Sequence, residues 1–383
     1  MPFDDRDFPD LPRGERAASP RAKRLVGAWL YMIAAMIVVM IVLGGATRLT
    51  GSGLSIMEWA PIMGTLPPLH EAEWRRLFQL YQAIPQYALV NDGFGLEGFK
   101  KIFWLEWTHR LWGRLMGAAF LIPLVWFAVT GRLERRMWFR LAVLFVLGGL
   151  QGAIGWFMVA SGFEPDSTAV APIRLVLHLG FALLLYAAVL WTALTLLPPR
   201  PMLSAPTPRW SLGLSWATAG LVGLTIVAGG FVSGLRAGLT YNTFPLMDGR
   251  LIPAGYADLM PFGRNLIENI AAVQFDHRLL ATLTLAVASV FAIRIWNVCG
   301  WRARLLAALV AGQYGLGVTV LLWVAPPDLA LLHQLGATAL LTAVLLVAHA
   351  LRAQPALRRI GVFNTSHGRS RSGTPSDRRG LKG

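Results

Sequence analysis

Eight apolar segments dominate the sequence, at about 25–46, 106–130, 138–160, 173–198, 210–236, 273–294, 305–325 and 329–351. Each is long enough to cross about 30 Å of hydrocarbon at about 1.5 Å per residue. Lipid offers no water to pair with an open strand edge, so each segment has to be a helix. Composition agrees: 55% of the 383 residues are hydrophobic and 14% charged, where soluble chains average about 25% charged. A water-soluble enzyme is excluded. The expected fold class is an all-α membrane protein of eight transmembrane helices.

Lys plus Arg number 35 against 20 Asp plus Glu, a net charge of +15. With the N-terminus inside, the inner segments 1–24, 131–137, 199–209, 295–304 and 352–383 carry 21 of these bases, and the outer segments 47–105, 161–172, 237–272 and 326–328 carry 7. That asymmetry predicts cytoplasmic N- and C-termini and leaves no excess charge for nucleic acid to explain. Residues 1–24 mix acids with bases, unlike a cleaved signal peptide or a transit peptide, and read as a cytoplasmic tail. Residues 352–383, rich in Arg, Ser and Gly, read as a disordered basic tail. The single cysteine, Cys299, excludes an internal disulfide, a Cys-built zinc site and a Cys-ligated iron–sulfur cluster. In the first long outer loop, Trp74, Leu77, Phe78 and Tyr81 are spaced for a short amphipathic helix, lying on the membrane or capping a site.

The chain also repeats itself. Gly44-Gly45 and the run to Gly53-Leu54-Ser55 match Gly229-Gly230 and the run to Gly238-Leu239-Thr240. In the same order, Thr108-His109-Arg110-Leu111 answers Asp276-His277-Arg278-Leu279, Gln151 with Gly155 answers Gln313 with Gly317, and Leu177-His178 with Gly180 answers Leu332-His333 with Gly336. Spans 1–4 (25–200) and 5–8 (201–351) are expected to be two four-helix bundles. An even number of spans in each gives them one orientation, related by a pseudo-twofold along the membrane normal.

Four of the seven histidines, His109, His178, His277 and His333, occupy equivalent places in the repeat, about four to six residues inside spans that all begin at the outer surface. Ionisable groups at such a depth are costly and face a bundle interior. Two imidazoles from one bundle can clamp haem iron from both sides. Gly113, Ala182, Ala281 and Ala337, each four residues deeper, leave room for a macrocycle. Helix–helix hydrogen bonding is the alternative use for such histidines. A zinc site is disfavoured, because no carboxylate or thiol joins either pair at ligand spacing. His70, His349 and His367 are not expected to be ligands.

The halves differ in one chemical respect. Glu106 precedes His109 by three residues and shares its helix face, whereas the equivalent residue before His277 is Gln274. A carboxylate at one site and an amide at the other suggest chemistry at the first and a held cofactor at the second. The competing reading makes Glu106 an interfacial residue, wetted or paired with Arg110 or Lys101. Asp276 points away from His277 and is expected at the interface or behind the ligand. Arg110 and Arg278 either meet haem propionates or mark the membrane boundary.

With these residues in place, the chain resembles the haem A synthase family, membrane enzymes that convert haem O to haem A. The resemblance runs from about residue 25 to 350 and is carried by Gly45–Ser55, Phe99–Arg114, Gln151–Met158, Ala237–Met247 and Val273–Arg278. It implies haem b as cofactor in the C-terminal bundle on His277 and His333, and haem O as substrate in the N-terminal bundle near His109 and His178. It implies that Glu106 is essential, in oxidation of the C8 methyl to a formyl group with water as oxygen source. It also implies contact with haem O synthase and with an electron acceptor, and is compatible with a homo-oligomer. Gram-positive members carry paired outer-loop cysteines that this chain lacks, which places it with the alphaproteobacterial and mitochondrial branch. The N-terminus favours the bacterial inner membrane. Asp276 stands where Asn is more usual. The main rival is a di-haem electron-transfer cytochrome with no chemistry on either ring. A transporter, with broken helices near the midplane, fits less well.

Overall fold

Several helix starts are set by local chemistry. Ser19 Oγ accepts from Ala22 N at 3.2 Å with Pro20 at the first turn, and Asn269 Oδ1 accepts from Ala271 N at 2.9 Å. Pro172 opens another helix, where its missing N–H costs nothing. The computed structural model describes residues 19–60, 63–198, 208 and 210–352, so most of both tails lies outside the described residues. Eight helices are long and apolar enough to cross a membrane: α1 (Pro20–Leu49), α2 (Leu96–Val129), α3 (Arg135–Ala160), α4 (Pro172–Leu196), α5 (Trp210–Gly234), α6 (Ile270–Arg294), α7 (Trp301–Leu322) and α8 (Pro327–Arg352). Among the described residues there is no strand beyond an isolated bridge between Met247 and Arg250. The expected class holds.

The packing order explains the shape. α1 and α3 each pack on α2 and α4, which closes a ring of four helices; α5 and α7 each pack on α6 and α8, closing another. The rings touch through α1 with α8, α4 with α5, and α4 with α8. Arg48 ties them at one end, donating to the carbonyls of Ser233 (2.8 Å) and Gly234 (3.2 Å) at the close of α5. Tyr186 Oη meets Thr342 Oγ1 at 2.6 Å further along. α1 and α5 end alike, in a left-handed residue (Gly51, φ 70°; Arg236, φ 54°) followed by a 3₁₀ turn.

The apolar core is lopsided. Val26–Ile41 of α1, Phe120–Phe127 of α2, Leu183–Leu194 of α4, Ala288–Phe291 of α6, Ala303–Val310 of α7 and Leu340–Leu351 of α8 supply its buried members. Most lie toward the end opposite the long connections. Cys299 is buried there, at the close of a short helix, as expected of a small residue. Outward-facing Ile122, Val129, Leu184 and Ile293 stay largely exposed, which suits a lipid-facing surface.

One span boundary differs from expectation. α2 begins at Leu96, ten residues before the expected 106, because Glu97, Lys100 and Lys101 interrupt the apolar run without breaking the helical spacing of Phe99 and Phe103. Those two rings receive the surface helix Glu71–Gln82, whose Trp74 and Tyr81 are buried against them. The apolar face of that helix is therefore spent on protein. Its polar face is tied by Arg76, which bridges Glu73 and Glu58. The Arg76 hydrogen bonds hold the Glu58 carboxyl below its ordinary value of 4.5. A depressed carboxyl stabilises above its unfolded value, so this link is present at neutral pH and weakens as pH falls below the ordinary carboxylate range.

Phe99→Ala should cost about 3–5 kcal/mol of local packing. Hydrogen exchange should then speed up across 71–82 and leave α4 and α5 protected. Unchanged exchange in the surface helix would refute the docking.

Candidate functional site

Leu177 and Leu332 are half exposed on the outer faces of α4 and α8, which turns the adjacent His178 and His333 inward. His109 and His178 are carried by α2 and α4 of one ring of helices, and His277 and His333 by α6 and α8 of the other. Paired glycines on α1 and α5 tie all four to one level. A β-carbon on Gly44 would lie 3.3 Å from His109 Nε2, while one on Gly45 would meet Gln334, next to His333, and Leu331 at 2.9 Å. On α5, Gly229 faces His277 in the same way, and Gly230 faces Val176 and Leu179, on either side of His178. The first glycine of each pair serves its own ring of helices. The second lets the other ring approach.

Three of the imidazoles share one pose. The Cε1 corner of His277 would lie 3.0 Å from a β-carbon on Gly229, that of His178 2.8 Å from one on Gly155, and that of His333 2.9 Å from one on Gly317. His277 Nδ1 lies 3.1 Å from the Thr225 carbonyl. A carbonyl only accepts, so the proton is on Nδ1 and Nε2 carries the lone pair. Gln151 Nε2 lies 3.1 Å from His178 Nδ1 and donates to the His178 carbonyl at 3.0 Å; Gln313 treats His333 alike, at 3.0 and 2.9 Å. An amide N–H only donates, so in these two rings Nδ1 accepts, the reverse of His277, and a free Nε2 lone pair requires the amide turned over so that Oε1 takes an Nδ1–H. His109 is the exception. Its Nδ1 is buried with no hydrogen-bond partner among the described residues and lies 3.9 Å from Glu106 Oε2.

Glu106 is 4% exposed, so it is not a wetted interfacial group. Arg110 Nε donates to its Oε1 at 2.6 Å, and the same guanidinium donates to the carbonyls of Ile56 (2.6 Å) and Glu58 (3.0 Å). The second ring repeats the clamp with an amide. Arg278 donates to Gln274 Oε1 at 3.0 Å and to the carbonyls of Tyr241 and Thr243. Gln274 Nε2 then donates to the carbonyls of Ala237 (2.7 Å) and Thr240 (2.6 Å), bonds that a carboxylate cannot make. Both arginines thus hold loop backbone, a use that sequence reasoning did not foresee. Asn242 anchors the second loop to the close of α7 by donating to the Leu321 carbonyl at 2.8 Å.

Asp276 accepts from Tyr256 Oη at 3.0 Å, away from the imidazole. His349 packs edge-on to Trp191, His70 is exposed before the surface helix, and His367 lies outside the described residues. Space beside Gly113 is taken by the Met40 methyl, 3.1 Å from where a β-carbon would sit.

Among the described residues, no three His, Cys, Asp or Glu side chains converge. His277, with a preset Nε2 lone pair, and His333 in the same ring of helices are donors of the kind that an iron requires when its other ligands come from a macrocycle. Bare backbone meets both rings at that level, Gly229 at His277 and Gly317 at His333. The residues present therefore fit a haem in the ring formed by α5–α8.

Such a molecule is a polytopic helical membrane protein built around paired intramembrane histidines. Within that class, the chain belongs to the COX15-CtaA family, described as cytochrome oxidase assembly proteins, whose model matches residues 27–345. It is 56% identical over 361 residues to Heme A synthase of Granulibacter bethesdensis, covering 92% of this chain and 95% of that one. It is 48% identical over 335 residues to Heme A synthase of Azorhizobium caulinodans, covering 86% and 94%. Heme A synthase 2 of Acidiphilium cryptum is 47% identical over 352 residues, covering 89% and 95%. Relatives at this level are mostly alphaproteobacterial, the branch expected from the sequence.

Arg110→Met leaves a buried carboxylate unpaired and should cost about 3–5 kcal/mol. Arg278→Met, beside a neutral amide, should cost less, and Glu106→Gln should recover most of the Arg110→Met loss. Thermal unfolding in detergent measures all three. Equal losses for the two arginine variants would contradict the ion-pair account.

Proposed function

We propose that this chain is a haem A synthase, which oxidises the C8 methyl of haem O to a formyl group with water as the oxygen source. One observation carries the reading. Two sites built on corresponding histidines, glycines and an arginine clamp carry an ionisable group in one, Glu106, where the other has an amide, Gln274. A di-haem electron carrier needs no such difference.

In this reading the ring of α1–α4 receives haem O between His109 and His178, and the ring of α5–α8 holds haem b through His277 and His333. Bound haem b supplies one-electron transfer between the substrate site and an external acceptor. The protein side does the rest. His277 is held with its ligating nitrogen free, and His333 is pinned to Gln313. Glu106 is fixed by Arg110 through one oxygen, with the other toward His109. A carboxylate held in a dry site stabilises positive charge developing on the methyl carbon and is placed to take a proton from the attacking water. His109, untied at Nδ1, suits a haem that must leave as product. His277 suits one that stays.

In this reading both termini are cytoplasmic and the histidine level lies in the outer leaflet of a bacterial inner membrane, which the excess of basic residues on the inner segments supports. Haem O synthase is the natural donor of a substrate this insoluble, an electron acceptor has to take the electrons released, and the lipid-facing surface leaves room for a homo-oligomer.

Glu106→Gln should keep haem b and abolish haem A formation in cells supplied with haem O; a normal haem A yield would remove the catalytic assignment. His277→Ala and His333→Ala should lose the low-spin haem b spectrum of the purified protein. An unchanged spectrum would refute the cofactor site. Extraction of the porphyrins that co-purify with the wild-type chain separates the readings, since an electron carrier yields haem b and never a formyl-bearing haem.

A further inference from the structure

Three imidazoles meet the same local device on the neighbouring helix. Thr225 and Gly229, Gln151 and Gly155, and Gln313 and Gly317 are each four residues apart, and so lie one above the other on one helix face. In each, the first residue holds Nδ1 and the glycine receives the Cε1 corner. The contacts are 3.1 Å and 3.0 Å for His277, 3.1 Å and 2.8 Å for His178, and 3.0 Å and 2.9 Å for His333. Two chemically unlike arrangements, a backbone carbonyl once and a glutamine side chain twice, converge on one ring pose. For His277 the coupling is tightest. The Thr225 carbonyl that takes its Nδ1–H belongs to the same turn as Gly229, so a methyl group at 229 would push the ring off its hydrogen bond.

We propose that Gly229, Gly317 and Gly155 are positioning residues: each is a slot that fixes the plane of a haem-ligating imidazole, working with the tie one turn before it. The proposal rests on the haem reading of the histidine pairs and adds the part of the protein that aims them. The fourth histidine shows what the device is for. On α1 the matching residues are Met40 and Gly44; His109 presents Nε2, not Cε1, to Gly44, and no tie holds its Nδ1. The ring without a tie is the one beside Glu106.

The glycines separate into two groups, which makes the test sharp. Gly223 on α5 and Gly315 on α7 sit on the same helices as two of the slots, and a β-carbon on either would meet nothing within 4 Å. Alanine is the better helix former, so helix weakening cannot explain a loss. The full-length chain is purified with its native haem and read by optical and electron paramagnetic resonance spectra, the latter sensitive to the angle between the two axial imidazole planes. Gly229→Ala and Gly317→Ala should shift the low-spin g values or lose the low-spin signal severalfold. Gly223→Ala and Gly315→Ala should match wild type. Added imidazole should restore a low-spin spectrum in Gly229→Ala, because the fold and the opposite ligand persist.

Wild-type spectra from both slot variants would overturn the proposal while leaving the haem reading intact, provided His277→Ala loses its signal. So would equal losses from the slot and control variants, or failure of imidazole to restore Gly229→Ala. If His277→Ala kept the wild-type spectrum, the haem reading itself would fall and the proposal with it.

Discussion

An imidazole can lie against a helix backbone only where that helix carries no side chain, and the architecture turns on this contact. Each ring of helices brings its histidines in from α2 and α4, or from α6 and α8, and meets them with bare backbone on the helices between. The adjacent glycines on α1 and α5 admit the opposite ring at the same height. A β-carbon at those positions would crowd an imidazole of its own ring, or the Gln334, Leu331, Val176 and Leu179 side chains of the other. At the far end Leu30, Leu194, Phe291 and Leu306 close the main core.

The second constraint is electrostatic. A carboxylate inside a low-dielectric bundle is costly unless it is paired and hydrogen-bonded. Arg110 meets that need and also gathers the backbone of residues 56–58, which Arg76 joins to the surface helix through the Glu58 carboxylate. The outer structure of the first ring is thus wired to one buried carboxylate. In the other ring the same wiring ends in Gln274, with both its oxygen and its nitrogen engaged by protein. Corresponding arginines therefore hold a carboxylate on one side and an amide on the other.

The eight helices, the four histidines and the Glu106–Gln274 contrast are legible in the sequence because they rest on long apolar runs, on rare ionisable residues at depth, and on a repeat. The early start of α2 is not, since Glu97, Lys100 and Lys101 lower the local hydropathy while Phe99 and Phe103 keep the helical register. The slots are hidden for a different reason. In a chain with 39 glycines, Gly229 looks no different from Gly223 until the neighbouring helix is in place. The usable signal was the repeat itself, which conserves the four-residue step from Gln151 to Gly155 and from Gln313 to Gly317 while the sequence around it drifts. The arginine clamps were hidden because backbone carbonyls leave no trace in side-chain identity.

Gln334 donates to the Ile41 carbonyl at 2.8 Å, a contact between the last helix and the first across a sequence separation of 293 residues. During synthesis α1 enters the bilayer long before its neighbour α8 exists. The ring made first is closed from behind by α8, so most of the described residues have to leave the ribosome before α1 acquires that neighbour.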